Sequence, residues 1–183
     1  MRRLSIPADA LTVRSLSSGE RLLLTGTLYT ARDAAHRRLA ELIDRGEPLP
    51  VDLKDGFLYY TGPTPARRGF AIGSAGPTTS SRMDPYTPEL LAASGLRGII
   101  GKGNRSKEVI AALREYGCVY CAATGGAGAL LGQCIKKARV VCWEELGPEA
   151  IYELEVVDFP VIVAIDTSGS NAYVDGPAAW KRG

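Results

Sequence analysis

The run Gly76-Pro77-Thr78-Thr79-Ser80-Ser81-Arg82-Met83-Asp84 sets two threonines, two serines, an arginine and an aspartate behind a Gly-Pro pair, with hardly an apolar side chain to bury. Three other places combine glycine, hydroxyl or positive charge where a strand pattern gives way to a loop or helix: Thr30-Ala31-Arg32-Asp33, Gly101-Lys102-Gly103-Asn104-Arg105-Ser106 and Thr124-Gly125-Gly126. In α/β sheets the loops at the carboxyl ends of strands form the usual ligand crevice, and helix amino-termini there favour anions. If Arg32, Arg82 and Lys102 converge, they offer two forked guanidiniums and an ammonium, a set suited to a small molecule with two carboxylates. Thr78 and Thr79 can then bridge, or pass a proton, at the bond between those carboxylates.

Each element also has a plain structural reading. A lone Arg or Lys in a loop is usually a solvated charge, and Thr after Pro is usually a turn hydroxyl. Asp33 and His36 share a helix; the first complements the helix dipole, and the second reads as a partly buried, hydrogen-bonded histidine. The run Thr124-Gly125-Gly126-Ala127-Gly128-Ala129 either leaves bare amides around an oxyanion or lets a helix pack tightly on a sheet. Cys118-Val119-Tyr120-Cys121 has the spacing of a metal or redox pair, but on a strand residues three apart face opposite ways and cannot readily grip one ion. Gly101-Lys102-Gly103 lacks the spacing of a nucleotide-binding Walker loop, since no Ser or Thr follows Lys102.

The elements that must position these residues alternate. Residues 21–30 read as a strand interrupted by Gly26, followed by a helix from 31 to 46; 57–60 and 70–72 read as two short strands of a small antiparallel section. Residues 88–94 form a short helix, 96–100 a strand, and Ser106 caps a helix that runs through Tyr116 to Gly117. Then follow a strand at 119–122, a small-residue helix at 125–135, a strand at 138–143, a helical turn at 148–152 and a buried strand at 159–165. The expectation is one α/β domain over residues 1–183, β-rich in its first part and alternating in the rest.

Composition agrees with a globular protein: of 183 residues, 45% are hydrophobic and 23% charged. The formal net charge of +2 is too small to point to nucleic acid. No apolar run approaches the roughly 18 residues of a membrane span, and Met1 to Pro7 lead into no signal-peptide core, so a cytoplasmic location is expected. In such a setting Cys118, Cys121, Cys134 and Cys142 stay mostly reduced and form no disulfide framework.

Taken in order, Thr25-Gly26-Thr27 with Ala31-Arg32-Asp33-Ala34-Ala35-His36, the 76–84 run, Gly101 to Ser106, Thr124-Gly125-Gly126 and Glu145-Leu146-Gly147-Pro148-Glu149-Ala150-Ile151 resemble the β subunit of class I, iron–sulfur-dependent fumarate hydratases, from about Leu4 to Tyr173. The resemblance implies a swivelling β/β/α domain and a hetero-oligomer with a separate fumarase α subunit. It also implies a 4Fe-4S cluster held by cysteines of that α subunit, with no metal ligand supplied by this chain. It makes Arg32, Arg82 and Lys102 carboxylate binders for fumarate or (S)-malate, and Thr78 the hydroxyl taking part in proton transfer. Ser80-Ser81, Ala31 and Pro148 depart from the family's common Ala-Gly, Gly and Met, differences expected to alter packing more than chemistry. The β subunit of L-tartrate dehydratase shares the Gly-Thr-Leu, Arg-Asp and Gly-Pro-Thr-Thr motifs, while Gly103 to Ser106 and Glu149-Ala150-Ile151 look more like fumarase. A non-catalytic dicarboxylate-binding module is the alternative of a different class.

Overall fold

A computed structural model describes residues 1–66 and 68–180. Its elements in chain order are β1 (Arg2–Ile6), α1 (Ala10–Arg14), β2 (Arg21–Thr30), α2 (Asp33–Asp44), β3 (Phe57–Tyr59), α3 (Thr87–Ser94), β4 (Gly98–Gly101), α4 (Lys107–Tyr116), β5 (Val119–Ala122), α5 (Gly128–Cys134), β6 (Ile135–Cys142), β7 (Ile151–Ile165) and α6 (Ala172–Trp180). Short 3-10 turns at Ser80–Met83 and Glu144–Glu149 complete the regular structure.

The strands form one mixed sheet in the order β1-β2-β3-β4-β5-β7-β6, and an additional β2–β7 pairing closes β2, β3, β4, β5 and β7 into a five-stranded barrel. Neighbours from β1 to β5 run parallel, whereas β7 is antiparallel to β2, β5 and β6. Strand periodicity sorts the side chains into two cores. Leu22, Leu24, Leu28, Phe57, Tyr59, Ile100, Val119, Cys121, Leu154, Val156 and Phe159 belong to one buried cluster. Leu58, Tyr60, Ile99, Cys118 and Tyr120, the alternate positions, join Ala35, Leu39, Leu90, Leu91, Val109 and Leu113 of the helices in the other. The barrel therefore has a packed interior and an outer face covered by α2, α3 and α4. Each fully buried leucine contributes about 1.5–3 kcal/mol of apolar burial.

The curvature needs Gly26. Its φ of +133° is foreign to L side chains, and an added Cβ would stand 1.9 Å from the Ile6 carbonyl oxygen. Beside it the β2–β7 register shifts between Leu24 and Gly26, a bulge of the kind that bends a strand around a closed sheet. The two strands outside the closed set expose cations: Arg2 and Arg3 on β1, and Lys136, Lys137 and Arg139 on β6.

Several expectations are corrected. The first part of the chain is not β-rich, because strand and helix alternate from β1 onward. Phe70, Ala71 and Ile72 form no strand; they lie in a loop whose neck is closed by Thr64 N–H to Ser74 O at 2.9 Å and Gly73 N–H to Thr64 O at 3.0 Å. Phe70 is 54% exposed, so its apolar side chain is not held in the core. The helical turn expected at 148–152 lies earlier, at Glu144–Glu149, and Ile151 already begins the long β7. Among the described residues, no helix is long and apolar enough to cross a membrane.

Candidate functional site

Because β2 to β5 are parallel neighbours, their carboxyl ends share one rim of the barrel, and three of the four chemistry-bearing segments leave from it. Arg32 follows β2, Lys102 follows β4 and Thr124 follows β5. Thr78 arrives by another route. Its N–H donates to Tyr60 O at 2.7 Å just beyond β3, and its carbonyl accepts from Lys102 N–H at 3.3 Å just beyond β4. Ser80 N–H then donates to Lys102 O at 2.9 Å, so residues 78–80 lie as a short parallel strip wedged between the splaying tops of β3 and β4. The polar 76–84 run is thus stitched to the barrel by backbone bonds, and Gly101 permits the approach: a Cβ there would stand 1.9 Å from Ser80 Oγ.

Arg32 and Arg82 meet at Asp33, whose Oδ1 accepts from Arg82 Nε at 2.9 Å and whose Oδ2 lies 3.8 Å from Arg32 Nε. Glu149 approaches from the 3-10 turn before β7. One of its oxygens accepts from Ala34 N–H at 2.9 Å, capping α2 from a distant part of the chain, and the other lies 3.5 Å from Arg32 Nη2. Arg32 has no side-chain cap bond of its own to offer α2, which explains the need for the borrowed carboxylate. Its guanidinium crosses the backbone at Gly62, where a Cβ would come within 2.8 Å of Nη1. At such long contacts the guanidinium is held but not saturated, and Nε is buried with no hydrogen-bond partner among the described residues.

Lys102 is exposed, with Gly125 near its aliphatic chain, where an added Cβ would stand 3.7 Å from Cδ, and among the described residues no carboxylate reaches its ammonium. Thr78 is half-buried and, among the described residues, its hydroxyl makes no hydrogen bond. Gly128 and Gly132 press α5 onto the 73–76 backbone, with Ala75 N–H donating to Gly128 O at 3.0 Å, so tight packing accounts for the second half of the small-residue run. Thr124, Gly125 and Gly126 stay exposed at the rim.

Three supports were not read from the sequence. Arg105 is buried, bonds Asp84 at 2.7 Å and Thr87 at 2.8 Å, and lies over the rings of Tyr60 and Tyr120 at 5.4 and 5.0 Å. Ser106 N–H adds a bond to the other Asp84 oxygen at 2.8 Å, so the end of the 76–84 run is fixed to the start of α4. Ser80 and Tyr120 bond each other at 2.9 Å beneath Lys102. His36 is fully buried rather than partly so. Its Nδ1–H donates to Arg32 O at 2.9 Å, its ring meets Tyr60 edge-on at 4.9 Å, and burial lowers its pKa to about 4. Pairing between positions this far apart leaves no trace in a single sequence.

Cys118 and Cys121 point to opposite faces of β5, one into the helix-covered core and one into the barrel, as strand alternation requires. Burial pushes both thiols up, Cys121 to about 12. Among the described residues, no group of three His, Cys, Asp or Glu is arranged to hold a metal ion.

Fold and rim together describe a small barrel with cations and hydroxyls gathered along one edge. The chain belongs to the family described as Fumarase C-terminus, whose model matches residues 3–176. It is 44% identical over 154 residues to the aerobic class I fumarate hydratase of Escherichia coli strain K12, covering 84% of this chain and 28% of that protein. It is 42% identical over 156 residues to fumarate hydratase 2 of Leishmania major, covering 85% and 28%. Against the putative L(+)-tartrate dehydratase subunit beta of Methanocaldococcus jannaschii, identity is 40% over 166 residues, covering 88% and 85%. The chain therefore spans 28% of the length of those two fumarate hydratases.

Proposed function

We propose that this chain is the β subunit of a two-subunit class I fumarate hydratase, contributing to the reversible hydration of fumarate to (S)-malate. The observation that supports it most is the shared rim: Arg32 and Lys102 follow the carboxyl ends of β2 and β4, Thr78 is bonded between the ends of β3 and β4, and Arg82 reaches Asp33 just after β2. Neighbouring strands lie about 4.8 Å apart, so cations rooted after β2 and β4 start roughly 10 Å apart, a span that long side chains can close on a small diacid from both ends. Hydration joins a hydroxyl to one carbon and a proton to its neighbour, through a carbanion whose charge spreads into the adjacent carboxylate. Fixed cations stabilise that added charge, and they act most strongly where water is excluded. The Thr78 hydroxyl is the group assigned to proton transfer, with the cationic surroundings favouring release of its proton.

In this reading the 4Fe-4S cluster belongs to an α subunit that covers the rim, and the barrel swivels against it as a body. The cysteines of this chain do not fit such a group. Cys118 and Cys121 are buried on opposite faces of the sheet at β5, and Cys134, just before β6, and Cys142, its last residue, lie roughly 26 Å apart along the extended chain.

A second reading, the β subunit of L-tartrate dehydratase, is favoured by one fact: the Methanocaldococcus relative named for that role is matched over 85% of its own length. One experiment addresses both. The chain is produced anaerobically with a candidate α subunit, and fumarate and L-tartrate are offered in turn. Fumarate hydration at the higher kcat/KM supports the first reading, and preference for tartrate overturns it in favour of the second. Arg82→Ala should lower turnover about 100-fold or more, the loss expected for one preorganised charge contact; turnover within about threefold of wild type removes Arg82 from the site.

A further inference from the structure

We infer that Ser80 and Tyr120 are positioning residues for the rim, joined in a hydrogen-bond chain that begins and ends on the Lys102-Gly103 backbone and so sets where Lys102 and Thr78 stand. Lys102 N–H donates to Ser80 Oγ at 3.1 Å as well as toward Thr78 O at 3.3 Å. Ser80 Oγ lies 2.9 Å from the Tyr120 hydroxyl, and that hydroxyl donates to Gly103 O at 2.8 Å. A hydroxyl has one proton to give. With the Tyr120 proton committed to the Gly103 carbonyl, the Ser80 proton must go to Tyr120, and Ser80 is left free to accept from Lys102. Every donor in the circuit then has an acceptor, with one direction of travel.

The circuit is built rather than incidental. Both side chains are fully buried, and neither reaches the open rim. Burial raises the Tyr120 pKa, so the phenol keeps its proton at neutral pH and remains a donor. Gly101 leaves the space that Ser80 Oγ fills. The Tyr120 ring also lies 5.0 Å beneath the Arg105 guanidinium, which bonds Asp84 at the far end of the segment carrying Arg82. One tyrosine thus backs Lys102 through its hydroxyl and the Arg82 segment through its ring. A buried hydroxyl pair costs stability whenever one member is lost, whereas two apolar groups of like shape would hold the fold as well. Its presence here is accounted for by the need to fix a backbone that carries a charged side chain.

The test uses Ser80→Ala, Tyr120→Phe and the double variant. In each single variant, amide hydrogen exchange at Lys102 should accelerate about tenfold, the effect of one lost hydrogen bond, while the amides of Ile99 and Val119 keep their protection. In the assembled enzyme, kcat/KM should fall about tenfold, and the double variant should be no worse than the poorer single one, because the residues act as a unit. Unchanged Lys102 exchange overturns the inference, as does exchange that rises equally at Ile99 and Val119, which marks a purely structural role. The kinetic arm rests on the hydratase reading. If the wild-type assembly neither hydrates fumarate nor dehydrates L-tartrate, that reading fails while the exchange data still decide the positioning role.

Discussion

His36 allows a stability prediction that needs no substrate. It is the chain's sole histidine, fully buried, with a pKa lowered from 6.5 to about 4 chiefly by desolvation; the nearby Arg105 charge adds to that, while the Arg32 carbonyl and Asp33 oppose it. Its Nδ1–H is spent on Arg32 O, and Nε2 is buried without a partner among the described residues. Between these two pKa values the unfolded chain binds the proton and the folded chain does not, so stability rises with pH across that window and falls on acidification. Linkage gives a loss of about 2 kcal/mol between pH 7 and pH 5, and about 3 kcal/mol once the pH lies below both values. The carboxylates whose pKa is lowered, among them Asp166 and Glu153, start from 3.8 and 4.5, so their contribution is intact above that range and is lost only as the pH falls through it. The interval from pH 5 to 7 therefore isolates the histidine. Urea unfolding followed by circular dichroism at pH 5, 6 and 7 measures the slope. His36→Asn keeps a side-chain N–H for the Arg32 carbonyl and cannot titrate, so it should be less stable at pH 7 yet lose little on acidification. Wild type and variant falling in parallel to within about 0.5 kcal/mol would refute a neutral, buried His36.

Two further outcomes follow from the same framework. Glu149→Ala removes both the acceptor for Ala34 N–H and the nearest carboxylate to Arg32 Nη2. Loss of such a cap should cost about 1 kcal/mol and lower Tm by about 2–4 °C, with Glu149→Gln recovering most of it; equal melting of Glu149→Ala and wild type would remove the capping role. Cys118 and Cys121 are fully buried whereas Cys134 and Cys142 are partly exposed. A thiol reagent should therefore label no more than the latter pair in the native protein and all four in denaturant, with mass spectrometry locating the adducts, and native labelling of Cys121 would contradict its place inside the barrel.

What the sequence revealed and what it hid divide along the reach of the interactions. The strand at 119–122 and the helix from Ser106 to Gly117 stand where their residues imply, because a serine cap accepting from Val109 N–H and a left-handed glycine at φ +63° are local signals. The strand at 21–30 is equally legible from its β-branched run. β7 extends eight residues earlier than its apolar stretch implies, since Asp158, at φ +51°, and Pro160 interrupt the pattern while pairing with β2 and β6 carries the strand through. Asp9 caps α1 through Thr12 N–H, a signal that was present but short. At the rim, glycine, hydroxyl and cationic residues at strand ends are legible as types. The agents that place them, Asp33 between two arginines, Glu149 at the head of α2 and Tyr120 under Lys102, depend on folding and have no sequence spacing to betray them.

Closure of the barrel leaves the sheet with only two free margins, and both are lined with positive side chains. Most of these cations are paired with acids, Arg2 with Glu20, Arg3 with Asp158, Lys137 with Glu155 and Arg139 with Glu153, and the desolvation of such charged groups discourages two copies from zipping together strand to strand. The charge at these margins thus favours a dispersed chain at working concentrations, even though the outer backbone of β1 and β6 has no strand beside it among the described residues.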